Sequence, residues 1–218
     1  MRRMKLSRIL VFLLLVGTAG MLAFVAASLL SRWLPQGDFR GVLLVAFAII
    51  VFYVLALLVF RLFQWAFPLP SGEIGDGSRE EFIYHVYVLF YLLCFNPIMF
   101  SGLLPIPLMR VFYQCLGARM GANSFSVGVM LDAQFVEVGH DSIIGNGALL
   151  VPHVIEGSRL AHYPIRIGNN VTVGAHAVIL ADVDIGDGAI VAINAVVTKG
   201  TRIPPGETWG GTPARRLK

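Results

Sequence analysis

Charged residues are scarce in this chain, and cysteine is almost absent. Of 218 residues, 14% are charged and 2 are cysteine, whereas 56% are hydrophobic and the mean hydropathy is +0.75. Soluble domains typically contain about 25% charged residues, so the composition excludes an ordinary soluble domain and predicts a membrane protein. Cys94 and Cys115 have neither metal-ligand spacing nor an oxidising context, so we expect two reduced, buried thiols.

Two long stretches lack Asp, Glu, Lys and Arg altogether: residues 9–30 and 41–60. Each is long enough to cross a hydrocarbon core of about 30 Å, so we predict two transmembrane helices there, within an N-terminal region of residues 1–69. A cleaved signal peptide is the alternative for the first stretch, but the stretch is longer than a typical apolar signal region and a second one follows closely. Basic residues precede the first helix and favour a cytoplasmic N-terminus. They are Arg2, Arg3, Lys5 and Arg8.

A third uncharged stretch, residues 82–109, contains several residues that disfavour a continuous helix. Pro97 should break a helix midway, and Pro105 and Pro107 should prevent a smooth exit. We therefore predict two shorter helical pieces within residues 82–114, embedded in the membrane or lying at its surface, after a polar connector at residues 70–81. A full third span is the alternative, and it would place the C-terminal half outside the cell.

An aliphatic residue recurs every six positions in the C-terminal half. The positions in register are Val138, Ile144, Leu150, Ile167, Val173, Ile179, Ile185, Val191 and Val197. A period of six fits neither a helix nor an ordinary half-buried strand, but it fits a chain that turns a corner after each very short strand. Three corners close a triangular coil, and about 18 residues per coil give roughly five coils between Gly117 and Ile203.

These repeats resemble those of the hexapeptide-repeat acyltransferases, and the segment His153–Glu156 resembles the His-x-x-acid element of a membrane-attached group of that family. The resemblance is carried by VGHDSI, IGNGAL, IGNNVT, VGAHAV and IGDGAI, by LGARMG at residues 116–121 and by WGGTPARRLK at residues 209–218. It implies a left-handed parallel β-helix at residues 115–218 with a C-terminal tail, assembled as a homotrimer with active sites between subunits. The expected fold class is therefore an N-terminal transmembrane α-helical hairpin plus membrane-associated helices, followed by this β-helix.

The register is interrupted between Leu150 and Ile167, where the spacing is five residues longer than two repeats require. The resemblance implies that a histidine in such a loop is the general base. This base removes a proton from the acceptor while the acceptor attacks a thioester. An imidazole pKa of about 6.5 suits that task. We expect His153 to be this base and Glu156 to fix its tautomer. His162 is the alternative base. For Asp132 we leave two roles open, assistance to the site or a turn cap, with the turn as the default.

The resemblance also implies a groove between coils for the pantetheine arm of the donor, and basic residues for the phosphates of coenzyme A. The compatible small and basic residues are Ala175, Ala177, Ala192, Ala195, Lys199, Arg202, Arg215 and Arg216. A solvated basic tail near an anionic membrane is the alternative for the basic ones. We expect acetyl-CoA or another acyl-CoA as the donor substrate, no permanently bound cofactor and no metal. The pI of about 9.3 does not indicate nucleic acid, because the basic residues form no basic stripe and have no aromatic platform beside them.

The predicted function is an acyltransferase, most simply an O-acetyltransferase, acting on a hydroxyl or amine of a membrane-associated acceptor such as a lipid-linked sugar or glycolipid. A soluble acceptor would need no membrane anchor. The expected location is the bacterial inner membrane with the β-helix in the cytoplasm. One alternative is a non-catalytic trimeric platform for membrane enzymes. The other is a zinc enzyme similar to the gamma-type carbonic anhydrases, which needs three histidine ligands.

Overall fold

A computed structural model describes residues 3–218 of the chain. These residues form two compact units, one made of residues 3–69 and 77–96 and the other of residues 70–76 and 97–218. Arg2, one of the basic residues that favour a cytoplasmic N-terminus, lies outside the described residues.

The first unit is helical. It contains α1 (Leu6–Ser31), α2 (Arg40–Ala66) and α3 (Arg79–Phe90), which continues through a π-helical turn at Tyr91–Phe95. Within residues 3–218, three helices are long and apolar enough to cross a membrane: α1, α2 and the continuous helix Arg79–Ser101. The last six residues of that helix form α4 (Asn96–Ser101).

The helix continues through Pro97, so the predicted break at this residue is wrong. Proline has no N–H to donate and crowds the carbonyl four residues earlier. The preceding π-helical turn changes the hydrogen-bonding partner, because the N–H of Asn96 bonds to the carbonyl of Tyr91, five residues back. Such a local π adjustment accommodates proline in an apolar helix. The helix ends instead at Ser101, before Gly102, whose φ is +66°.

Aromatic packing and one buried ion pair hold the helical unit together. The Phe60 ring contacts the rings of Tyr87 and Phe90, with centroids 5.7 and 5.4 Å away. At one end, Arg8 Nη2 lies 3.8 Å from Glu81 Oε2, and both side chains are buried. Burying one charge without the other is costly, so this contact ties the start of α1 to the start of α3.

The second unit begins with a short strand in the predicted connector, β1 (Gly72–Glu73), and resumes with α5 (Ile106–Leu116). Pro105 is the N-cap of α5, and Gly117 ends it in the left-handed conformation, with φ of +111°. Cys94 is buried as predicted, but Cys115 in α5 is exposed, so its predicted burial is wrong.

A stack of short strands follows α5. The first coil contains β2 (Arg119–Met120), β3 (Phe125–Ser126) and β4 (Val129–Met130), and the second contains β5 (Val136–Val138), β6 (Ile143–Ile144) and β7 (Leu149–Val151). A hairpin of β8 (His153–Glu156) and β9 (Arg159–His162) interrupts the stack. The later coils contain β10 (Ile165–Ile167), β11 (Thr172–Val173), β12 (Val178–Leu180), β13 (Asp184–Ile185), β14 (Ile190–Val191), β15 (Val196–Val197), β16 (Arg202–Ile203) and β17 (Thr208–Gly210), and β18 (Arg215–Arg216) ends the fold.

Strands in equivalent places of successive coils pair in parallel and form the walls of a prism. In the described chain, sheet 1 comprises β2, β5, β10, β13 and β16; sheet 2 comprises β3, β6, β11, β14 and β17; and sheet 3 comprises β4, β7, β12 and β15. β18 pairs antiparallel with β17. The prediction of three-strand coils stacked in parallel is confirmed.

The aliphatic residues of the six-residue register fill the interior of the prism. All nine are at most 4% exposed, and burying each such side chain contributes about 1.5–3 kcal/mol. Glycine follows several of them because the coils touch there: a Cβ on Gly145 would lie 2.6 Å from the amide nitrogen of Ala175 in the next coil. The small residue at this place therefore has a direct steric cause.

Candidate active site

The hairpin β8–β9 leaves the prism at the corner between sheets 3 and 1, where the sequence register is interrupted. Its two-residue turn has Gly157 in the first place with φ of +60°, as a type II′ turn requires. Val154 and Ala161 are buried and pack with Ala181 of the following coil, with Tyr163 against them. The extra residues predicted as a loop thus form a regular element fixed to the wall of the prism.

Two histidines face each other across this hairpin. His153 on β8 is directly opposite His162 on β9, and their ring centroids are 6.4 Å apart. The His153 side chain is 27% exposed, whereas that of His162 is completely buried. Only His153 of this pair is therefore open to a substrate in solution.

Asp132 is the carboxylate that contacts His153. Its Oδ2 lies 2.5 Å from His153 Nδ1, and its side chain is 8% exposed. Burial by itself lowers the pKa of His153, but the hydrogen bond and the negative charge of Asp132 outweigh it, so the net effect is a raised pKa. A carboxylate can only accept here, so Nδ1 donates and Nε2 carries the lone pair. This is the arrangement of a general base with its orienting acid.

His162 approaches the same carboxylate from the other side. Its Nε2 is 4.0 Å from Asp132 Oδ2, and its ring stacks on Phe135 with centroids 4.8 Å apart. Burial lowers the pKa of His162, and the charge of His153 lowers it further. The negative charge of Asp132 acts in the opposite direction and raises this pKa. The net effect is a lowered pKa for His162, whose ring packs beside Asp132.

Glu156 does not contact His153, and its predicted role in fixing the tautomer is wrong. Its carboxylate instead bonds to Lys199, and it lies 3.5 Å from Arg159 Nη1. The Lys199 hydrogen bond is the main reason why the pKa of Glu156 is lowered, and the charges of Lys199 and Arg159 add to it. A strand explains the difference: His153 and Glu156 are at opposite ends of β8, and an extended chain separates residues three apart by about 10 Å.

The stacking of the coils brings Asp132 to this site. β4 pairs with β7 so that Met130 is opposite Leu150, which aligns Asp132 with Pro152, the residue before His153. Asp132 has a left-handed backbone conformation, with φ of 46° and ψ of 52°, at a corner as the turn interpretation expects. The 21 positions between Asp132 and His153 exceed the coil length of about 18 residues, so counting one coil back in the sequence does not reach Asp132.

The predicted donor-binding residues are in two different environments. Ala177 and Ala195 are completely buried inside the coils, whereas Ala175 and Ala192 are half-buried at the corners between sheets 2 and 3. A groove contact with the side chains of the first two is therefore excluded. Ala175 and Ala192 remain compatible with one.

The basic residues predicted to bind phosphates mostly contact carboxylates. Lys199 contacts Glu156, Arg216 Nε lies 3.3 Å from Glu207, and Arg202 bonds to both Asp182 and Asp184 at 2.9 Å. Arg215 donates to the carbonyl of Ala214 at 3.1 Å. Among residues 3–218, no three His, Cys, Asp or Glu side chains form a group that could hold a metal ion.

The repeats match a known family model, and the chain has named relatives. Residues 164–199 match the model described as bacterial transferase hexapeptide (six repeats). The chain is 35% identical over 88 residues to the galactoside O-acetyltransferase of Escherichia coli (strain K12), which covers 34% of this chain and 42% of that protein. It is 42% identical over 80 residues to the 2,3,4,5-tetrahydropyridine-2,6-dicarboxylate N-acetyltransferase of Staphylococcus aureus (strain JH9), which covers 37% of this chain and 31% of that protein. The chain thus spans less than half the length of either relative.

Among solved structures, a similar fold is found in the hexapeptide-repeat containing acetyltransferase VCA0836 of Vibrio cholerae O1 biovar eltor, complexed with acetyl coenzyme A. The TM-score is 0.51 at 23% identity, over 67% of this chain and 93% of that chain. At this identity the likeness concerns the fold alone. The β-helical domain is thus similar in its matched repeats and in its fold to hexapeptide-repeat acetyltransferases.

Proposed function

We propose that this protein transfers an acetyl group from acetyl-CoA to a hydroxyl or amine of a membrane-associated acceptor, with His153 as the general base. The observation that carries the proposal is the 2.5 Å contact between His153 and the nearly buried Asp132, at the point where the hexapeptide register is interrupted. A non-catalytic platform would have no need for a partly exposed histidine paired to a carboxylate.

The chemistry follows from the protonation of His153. Nε2 takes the proton of the acceptor as its oxygen or nitrogen attacks the carbonyl carbon of the thioester, and Asp132 stabilises the imidazolium that forms. The tetrahedral intermediate then collapses, the carbon–sulfur bond breaks, and the imidazolium returns the proton to the leaving sulfur. The products are the acetylated acceptor and free coenzyme A. One named relative is an O-acetyltransferase and the other an N-acetyltransferase, so the acceptor atom is left to experiment.

Strand pairing supports a cytoplasmic active site. β1 comes directly after α2 in the chain and pairs with β9 of the hairpin, so we propose that the hairpin is on the side of the membrane where α2 ends. If α1 and α2 both span and the N-terminus is cytoplasmic, that side is the cytoplasm, where acyl-CoA is found. A third full span at Arg79–Ser101 would carry the β-helix to the opposite side from β1, so we propose that this helix lies in the membrane without carrying the β-helix across.

An apolar surface around α5 supports a lipid-linked or glycolipid acceptor. Leu103 is 80% exposed, and the outward side chains Leu108 and Val111 of α5 are 54% and 52% exposed. A cavity of about 500 Å³ lies beside this surface and is lined by Met99, Leu104, Pro105, Ile106, Met109 and residues 126–129. Exposed apolar surface of this kind is typical of membrane or ligand contact.

The three sheets of the prism differ in how well their outward residues suit subunit contacts in the proposed homotrimer. The outward positions of sheet 2 include Ile143 and Ile190, 53% and 44% exposed, and those of sheet 3 are aliphatic and half-buried. Sheet 1 instead carries outward charges of alternating sign, so an apolar subunit contact is not expected on this sheet. The alternating residues are Arg119, Glu137, Arg166, Asp184 and Arg202. We propose that sheets 2 and 3 contact the other subunits and that sheet 1 faces solvent.

Transfer of radiolabel from acetyl-CoA tests this proposal. The full chain in lipid nanodiscs is incubated with total membrane lipid, and His153→Gln is compared with His140→Gln, a change in an exposed turn histidine bonded to Asp141. We expect label in the lipid fraction, lost about 100-fold or more in His153→Gln and unchanged in His140→Gln. Equal rates with a soluble sugar would contradict the membrane acceptor. The absence of both transfer and thioester hydrolysis would favour the platform function.

A further inference from the structure

We propose that strand β1, which belongs to the connector after the membrane helices, positions the active-site hairpin, and that Glu73 is its positioning residue. This inference rests on the proposed function, because it assigns β1 a role relative to the base His153. The connector would then be part of the catalytic apparatus rather than a passive link.

The backbone contacts join the connector to the hairpin as a third strand. β1 pairs antiparallel with β9, which pairs with β8, so that Gly72, His162 and His153 form one row across the sheet. The N–H of Ile74 extends the pairing by donating to the carbonyl of Leu160 at 2.8 Å, and the Ile74 side chain is 2% exposed. An isolated two-stranded hairpin is only marginally stable, and a third strand is what makes such a sheet firm.

Glu73 adds contacts to both ends of β9. Its Oε1 accepts from Arg159 Nε at 2.7 Å, where β9 begins, and from the hydroxyl of Tyr163 at 3.4 Å, just after β9 ends. Arg159 Nη2 in turn donates to the same Tyr163 hydroxyl at 3.4 Å. One carboxylate thereby bridges the full length of the strand that carries His162.

These side chains are too exposed to stabilise the fold greatly. The side chains of Arg159 and Glu73 are 45% and 57% exposed, and such pairs change an equilibrium by only a few-fold. Placement of a base is more sensitive, because a displacement of about 1 Å costs roughly 100-fold in rate. The contact should therefore affect turnover more than stability, as expected of a positioning residue.

The connector also offers a matched control for charge. Asp76 is exposed and belongs to the same segment, 70–76, as Glu73. Asp76→Arg and Glu73→Arg make the same change in net charge within the same short segment. A difference between the two variants therefore reports on the contact with Arg159 and Tyr163, and not on the general charge of the connector.

The test uses the full chain in nanodiscs with acetyl-CoA and total membrane lipid. We expect Glu73→Arg and Arg159→Glu each to lower kcat about 5-fold or more, with the KM for acetyl-CoA within about 2-fold and the melting temperature preserved. The double variant Glu73→Arg/Arg159→Glu should recover kcat to within about 2-fold of the wild type, and Asp76→Arg should match the wild type. Hydrogen exchange of residues 153–162 should accelerate in Glu73→Arg and return to the wild-type rate in the double variant.

Three results would overturn the inference: an unchanged kcat in Glu73→Arg, an equal loss in Asp76→Arg, or no recovery in the double variant. An unchanged kcat beside faster exchange of the hairpin would mean that β1 is structural alone. Failure of the proposed function is recognised separately, as full activity of His153→Gln. Hydrogen exchange is measured without substrate, so it reports on β1 in either case.

Discussion

Asp132→Asn separates the charge of the orienting acid from its shape. Asp132 has a left-handed backbone, with φ of 46° and ψ of 52°, a conformation that asparagine adopts readily, so the corner should be preserved. The amide oxygen can still accept from Nδ1 of His153. What the variant removes is the negative charge 2.5 Å from the imidazole.

The expected loss follows from the strength of that contact. A hydrogen bond to a charged group contributes about 1.5–3 kcal/mol and a neutral one about 0.5–1.5 kcal/mol, so the charge contributes about 1–1.5 kcal/mol. Because 1.36 kcal/mol corresponds to a tenfold rate, kcat should fall about 5- to 13-fold. The pH dependence should also change. Asp132 is what raises the pKa of His153 against the effect of burial, so its removal lowers that pKa, and the base stays neutral to lower pH. The acidic limb of the kcat profile should therefore move to lower pH.

The assay is the transfer of radiolabelled acetyl to lipid, measured as kcat across pH. Asp141→Asn is the matched control, because Asp141 has a similar left-handed φ of 55° and contacts His140 Nδ1 at 2.7 Å, but on an exposed corner. We expect the control to match the wild type. If Asp132→Asn kept kcat within twofold and left the acidic limb in place, the assignment of Asp132 as the orienting acid would be refuted.

Three further substitutions test the roles of neighbouring residues. Glu156→Gln should leave kcat within about twofold, because Glu156 forms exposed contacts with Lys199 rather than with the base; a loss above tenfold in steady-state assays would restore its predicted catalytic role. His162→Phe should lower kcat only a few-fold, because the His162 ring packs on Phe135 near the orienting acid Asp132. A loss of about 1,000-fold would instead identify His162 as the base. Tyr113→Phe should destabilise the protein by about 1–3 kcal/mol in thermal unfolding, because the buried hydroxyl bonds to the Gly128 carbonyl at 3.0 Å; an unchanged melting temperature would contradict this.

The β-helix could be predicted from the sequence because its determinants are local and repeated. Each interior aliphatic residue is six positions from the next, and each neighbouring small residue satisfies a steric demand that recurs in every coil, as at Gly145. The site of the insertion was predictable for the same reason, since the interruption of a regular register can be counted. His153 followed from its place at that interruption, and the structure locates it at the expected corner.

The partners of His153 and the behaviour of Pro97 were not predictable in this way. Glu156 is close to His153 in the sequence, but a strand carries it away. A π-helical turn at Tyr91–Phe95 accommodates Pro97 in a helix that the residue alone would be expected to break. In both cases a non-local or cooperative arrangement of the backbone overrides the local tendency.

The sequence by itself determined the class of each part of the chain: apolar runs for the helical unit, and a six-residue period for the prism. Only the tertiary structure decided which side chains meet. Asp132 reaches His153 across 21 positions because parallel coils align one corner above the next. Glu73 reaches Arg159 across 86 positions because β1 adds to the edge of the hairpin. Neither distance leaves a periodic signal in the sequence, since each contact is made once and depends on how distant strands pair.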